Sequence, residues 1–242
     1  MILKRSIAEF WLGVSAPWRG FVHMRHHPGL WKYTFHCIGG VGVLYAILVG
    51  LVIFSGWYYT DLSGWWEIGR TVGLVLVLVL AAGVLFFLIP TALRGYFYGQ
   101  LAEKVAIQLG MPADQIKAIP WQHWVIDAVR DAAVLMAINA VLLLMGCVPG
   151  LIVVSAGVLF YINAFVLGRE YLDFPLDMHG LRLKEKMAFA RRHRPATLGL
   201  GLVVMLFYFL PVINLVLLAT ATSGAVWLHR QLEENSPPPV NE

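Results

Sequence analysis

Two stretches run for 23 residues each without a charged side chain: 35–57, "FHCIGGVGVLYAILVGLVIFSGW", and 71–93, "TVGLVLVLVLAAGVLFFLIPTAL". A bilayer core of about 30 Å takes roughly 20 helical residues at about 1.5 Å each, so both predict long transmembrane helices. Trp57, Tyr58, Tyr59, Trp65 and Trp66 gather between them, as aromatic residues do at a membrane interface.

The later apolar blocks are interrupted. Residues 132–148 lead into Pro149-Gly150 and then 151–167, while 196–210 lead into Pro211 and then 212–228. Each half is 15 to 17 residues long, at or below the short end for a span, and Pro-Gly marks a turn. Two Pro-broken helical hairpins, able to penetrate the membrane without crossing it, are expected at 132–167 and 196–228. The alternative is pairs of kinked or short spanning helices. Near the N-terminus, Leu3, Ile7, Phe10, Trp11, Val14, Trp18 and Phe21 recur at helical spacing with Lys4, Arg5 and Glu9 between them. That pattern predicts an interfacial amphipathic helix, broken at Pro17. Residues 95–118 read as a helix continuing the second span.

Composition fits this picture. Of 242 residues, 59% are hydrophobic and 13% charged, against about 25% charged in soluble domains, and the mean hydropathy is +0.72. The expected fold class is an all-α integral membrane protein. One membrane domain occupies 1–230, a charged loop occupies 169–194, and a disordered, Pro-rich tail occupies 231–242. No cleavable signal peptide is read in the first 34 residues. Of eighteen Lys and Arg, only Arg70 lies between the two spans. The positive-inside rule therefore puts both termini and the 169–194 segment on the cytoplasmic side. Seven of the cations sit in that segment, and burial in lipid would cost about 2.5–3.5 kcal/mol for each at the bilayer centre.

Candidate chemistry is sparse. No P-loop is present, and neither a cofactor nor a nucleic-acid partner is indicated. Cys37 and Cys147 lie in apolar segments and read as small membrane-buried side chains. "HMRHH" at 23–27 lacks the carboxylate or Cys company of a metal site, so no metal is expected. The apolar blocks hold no Asp, Glu, Lys or Arg, and their polar exceptions, His36, Asn139, Asn163 and Asn214, read as helix-packing hydrogen bonders. That absence favours a passive conduit over a proton-driven pump. "EYLDFPLDMHG" offers Glu170, Asp173, Asp177 and His179. They read as hydrolase carboxylates and a histidine or as a Pro175-centred turn and helix cap; no nucleophile accompanies them. In "HHPGLWKY", Pro28-Gly29 breaks the helix and leaves the N–H groups of Leu30, Trp31 and Lys32 as donors at a new helix start. The stretch reads as an anion site or as a plain turn with Trp31 and Tyr33 as interfacial anchors.

"EYLDFPLDMHGLRLKEK" resembles the signature of the CysZ-type sulfate permeases, a family related to the etoposide-induced membrane proteins. The matching residues are Asp173, Phe174, Pro175, Leu176, Asp177, His179, Lys184 and Glu185. "YGQLAEK" (Gly99, Leu101, Ala102, Glu103), "LPVINLVLL…SGA" (Pro211, Asn214, Gly224, Ala225) and "PGLWKY" agree with further parts of the pattern, and the similarity covers about 8–230. The resemblance implies a multi-pass protein of the bacterial inner membrane, oligomeric, taking up sulfate for cysteine synthesis. It implies an anion site at Gly29, Leu30, Trp31 and Lys32. Two departures stand out: Trp31 occupies a position that is basic in the family, and Ala219 replaces a second proline. They leave the ligand open among sulfate, sulfite, thiosulfate and none. Glu103, Lys104, Arg169 and Glu170 are candidates for a pore vestibule or for ordinary interfacial ion pairs. A membrane scaffold of the same fold that conducts nothing is the alternative function.

Overall fold

The computed structural model describes residues 2–58, 72, 95–117, 121–148, 150–207 and 211–235. The described residues are helical, joined by short turns: α1 Ile2–His26, α2 Trp31–Tyr58, α3 95–108, α4 Trp121–Gly146, α5 Ile152–Met178, α6 Leu183–Arg192, α7 Arg194–Phe207 and α8 Pro211–Glu234. Single 3-10 turns lie at Pro28–Leu30 and Ala113–Gln115. Two compact units divide the chain, Met1–Trp31 with Tyr98–Glu242 and Lys32–Phe97.

Of the second unit the structure describes chiefly α2, which contains the expected first span. Its side chains Val43, Ile47 and Phe54 are exposed. The expected second span, 71–93, apart from Val72, and Tyr59, Trp65 and Trp66 of the aromatic cluster lie outside the described residues, as does most of the 231–242 tail. Among the described residues, two helical segments are long and apolar enough to cross a membrane, Pro28–Leu51 and Ile152–Met178.

In the first unit, α1 packs against α7 and α8, and α5 packs against α7. Glycines line three close crossings among the described residues. A Cβ on Gly13 of α1 would fall 2.0 Å from the Ala196 carbonyl oxygen of α7, and one on Gly199 would fall 2.3 Å from that of Phe10. Gly20 and Gly224 stand in the same relation between α1 and α8, and Gly168 and Gly201 between α5 and α7. Lipid is as apolar as Leu, so helices in it associate by close packing of small residues.

That rule explains why α1 differs from its sequence reading. It runs unbroken through Pro17, and its packed face is Gly13, Ala16, Gly20 and Met24, all buried. Ile7, Trp11 and Trp18 remain 51%, 62% and 66% exposed. Proline removes one backbone rung, but α7 and α8 hold the helix on both sides of it.

Helices α4, α5 and α8 are longer than the arms expected there. α5 has 27 residues and continues past the apolar block through Pro175. The segment 169–194 is therefore not a loop: it comprises the last turns of α5, a turn at His179–Arg182 with Gly180 at φ 71°, and α6. Charged residues sustain a helix as well as apolar ones, so the end of hydrophobicity did not mark the end of the helix. α4 packs on α5 across a turn containing Gly150 at φ 91°. Asn163 Nδ2 donates to Asn139 Oδ1 at 2.9 Å across this pair.

Candidate functional site

The turn before α2 is tighter than the sequence suggested. Pro28 opens a 3-10 turn in which the Leu30 N–H donates to the His27 carbonyl at 3.0 Å. The Trp31 N–H donates to the Pro28 carbonyl. Two of the three expected anion donors are thus engaged within the backbone, because a 3-10 turn closes one residue earlier than an α-turn. Gly29 is exposed, with nothing within 4 Å of where its Cβ would stand. Lys32 is exposed too, its ammonium 5.1 Å from the centre of the Tyr33 ring. Trp31 makes an edge contact with Phe21 at 6.4 Å, which gives it a packing role.

The signature residues converge at the end of α5. Pro175 is buried inside the helix, and the His179 ring donates through Nδ1 to the Pro175 carbonyl at 2.9 Å. Arg169, 4% exposed, lies 3.9 Å from Asp173 one turn away. Lys186 of α6, equally buried, pairs with Asp177. Asp173 and Asp177 therefore hold cations and cap no helix. Each pair sets a buried cation against a partly exposed carboxylate, which spares the carboxylate part of the desolvation cost of a fully buried pair. Glu185 holds the start of α6, its Oε2 accepting the Arg182 backbone N–H at 2.7 Å.

A second polar layer adjoins the first. His193, between α6 and α7, is 2% exposed, with Nδ1 3.8 Å from Glu9 of α1. Burial lowers its pKa, the Glu9 carboxylate opposes that, and Arg192 and Arg5 add to the lowering. Thr197 donates to the His193 carbonyl at 3.0 Å. His229 of α8 faces His179, ring centres 5.0 Å apart, with Phe189 5.1 Å away. Burial, followed by His179 and His193, lowers its pKa to about 3, so it is neutral at physiological pH. Beside this pair an open cleft of about 270 Å³ is lined by Gly110, Pro175, His179, His229 and Arg230 among others.

The other candidates are dispersed. Glu103 is half-buried and Lys104 exposed on α3, and Glu170 is exposed on α5; no ion pair joins Glu103 or Lys104 to Arg169 or Glu170 among the described residues. Pro211 opens α8, and the side chain of Asn214 lies outside the described residues. His23 bonds Gln108 of α3 at 2.9 Å. Glu9, Lys186, His193 and His229 were not foreseen as site residues. Lys186 sits inside the Lys-Glu-Lys run and carried a signal. Glu9 and His193 are joined only by the fold, and neither position hinted at the other.

A model of the family described as "Sulfate transporter CysZ/Etoposide-induced protein 2.4" matches residues 16–219. The chain belongs to this family. Proteins named sulfate transporter CysZ are similar along most of their length. That of Pseudomonas aeruginosa (strain LESB58) is 25% identical over 209 residues, covering 79% of this chain and 85% of the relative. That of Pectobacterium atrosepticum is 27% identical over 218 residues, covering 78% of each. That of Salmonella typhimurium is 26% identical over 214 residues, covering 76% and 81%. The matched region contains the turn before α2, the signature cluster, the α4–α5 pair, α7 and the first turns of α8.

Proposed function

We propose that this chain is an inner-membrane permease for sulfate or a related oxyanion. The observation that carries the reading is the match to the CysZ family over residues 16–219, with relatives named sulfate transporter aligned along about four-fifths of their length. The protein is read as a multi-pass, homo-oligomeric, non-enzymatic conduit with both termini cytoplasmic. It supplies sulfate for cysteine synthesis. The lack of Asp, Glu, Lys and Arg in the apolar blocks supports channel-like passage over proton coupling. Anion contact is assigned to the Gly29–Lys32 stretch. The Lys32 ammonium and the exposed Gly29 backbone do the binding there, since the Leu30 and Trp31 N–H groups are already engaged. Selectivity then rests on few donors, which suits a conduit that must release its ion.

Ligand-dependent stabilisation tests this reading. Sulfate should raise the melting temperature of the purified protein more than chloride at equal ionic strength, and Lys32→Ala should remove the difference. Equal effects of the two salts would instead support a non-conducting scaffold of the same fold.

A further inference from the structure

The cleft beside His179 and His229 carries groups that anion passage does not employ. Backbone bonds fix its walls. Gly110, at φ 97°, ends α3 in the left-handed conformation, and the Met111 N–H closes that turn on the Ala106 carbonyl at 2.9 Å. Further on, the Lys117 N–H donates to the Met178 carbonyl of α5 at 2.9 Å. From the other side α8 presents Val226, His229, Arg230 and Glu233, at the i, i+3, i+4 and i+7 spacing of one helix face. These residues all belong to one compact unit.

The cleft holds about 270 Å³, just under the roughly 300–1,000 Å³ of small-molecule pockets, so its occupant is small. Pro175 and Met178 stand roughly 12 to 17 Å along α5 beyond Leu167, the last residue of its apolar block, at about 1.5 Å per residue. That sets the cleft beyond the reach of acyl chains. Its polar groups are short of partners. His229 is 4% exposed, and its ring makes no hydrogen bond among the described residues: Glu233 Oε2 stands 3.6 Å from Nδ1. His179 and Phe189 hold the ring in place. The Glu233 side chain is 53% exposed and faces no cation, since His229 is neutral. Arg230 gives its Nε to Glu234 at 2.9 Å, while its Nη1 extends toward the opposite wall, 3.8 Å from where a Cβ on Gly110 would stand. Neither Nη group is hydrogen-bonded among the described residues.

We infer that this cleft binds a free α-amino acid with an apolar side chain, its carboxylate on Arg230, its ammonium on Glu233 and His229, and its side chain against Pro175, Met178 and Val226. An anion alone would also meet Glu233, and a cation alone would also meet Arg230. A zwitterion satisfies both, because the two residues are neighbours on one face of α8. The buried His229 ring gains the hydrogen bond that it lacks, and a buried polar group without one is costly. The site is separate from the Gly29–Lys32 stretch and does not depend on which anion is transported.

Calorimetric titration of the detergent-purified full chain with L-methionine and L-valine tests the inference. Both should bind saturably. N-acetyl-L-methionine, which lacks the ammonium, and L-methioninamide, which lacks the carboxylate, should each bind at least about tenfold more weakly, through loss of a charge-assisted contact. Arg230→Gln and Glu233→Gln should weaken L-methionine by a similar factor, and both should fold, since exposed ion pairs contribute little to stability. Arg230→Gln should leave the affinity for L-methioninamide unchanged. Lys184→Gln on α6, which does not line the cleft, should retain full binding. No saturable binding of either amino acid at millimolar concentration, or equal affinity for L-methionine and its two derivatives, would overturn the inference. Stabilisation by phosphatidylethanolamine that the same substitutions remove, with no response to the amino acids, would also overturn it, showing a lipid headgroup site.

Discussion

Lys186 on α6 reaches Asp177 on the last turn of α5, and this pair joins the two helices that the charged segment 169–194 forms. Lys186 is 5% exposed, so removing its partner or its charge leaves an ion in a poorly solvated place. Lys186→Met should destabilise the protein by about 2 kcal/mol, below the range for fully buried pairs because Asp177 retains some solvent contact. The double substitution Lys186→Met/Asp177→Leu should regain part of that loss. Melting of the single and double variants in one detergent measures both.

The glycine crossings set a harder limit. A Cβ at Gly201 would fall 1.7 Å from the Ala164 carbonyl oxygen. Backbone cannot yield as a side chain can, and overpacking costs typically about 1–3 kcal/mol, occasionally more. Gly201→Ala should cost about 3 kcal/mol or more, seen as lost monodisperse protein on size exclusion. Gly157→Ala on α5 meets nothing within 4 Å and should change stability by less than about 0.5 kcal/mol.

His229 predicts the pH response. Its pKa is lowered to about 3, first by burial and then by His179 and His193. The unfolded chain therefore binds a proton that the folded chain does not over the range between about 3 and the ordinary histidine value of about 6.5. Its contribution to stability is whole above pH 6.5 and falls as the pH drops through that window. Melting temperature should decline between pH 7 and 5, and His229→Gln should flatten the decline.

The Asn139–Asn163 bridge should contribute modestly. Interhelical hydrogen bonds in membranes average about 0.6 kcal/mol, with a maximum near 1.7. A double-mutant cycle with Ala at both positions should return a coupling in that range. A coupling near zero would mean that the two amides are satisfied by other partners.

Much of this architecture was legible in the residues. The apolar blocks, the turn at Pro149-Gly150 and the signature around Asp173 and His179 pointed to an all-helical membrane protein of this family. The details missed were those that depend on neighbours. Pro17 and Pro175 looked like helix ends, yet both lie within helices packed against others. The large apolar residues of α1 drew attention to its exposed side, whereas Gly13 and Gly20, weak as sequence signals, mark its contacts. The Leu30 and Trp31 N–H groups looked free because the sequence does not distinguish a 3-10 turn from an open helix start. The Glu9–His193 contact depends on α1 and α7 meeting, which no local pattern encodes.

The central claim is tested most directly by labelled-sulfate flux into proteoliposomes holding the purified protein, with no imposed proton gradient, beside the Lys32→Ala variant. Saturable entry that falls several-fold in the variant is the predicted result. No flux above empty liposomes, from protein shown to be folded and inserted, would contradict a self-sufficient permease.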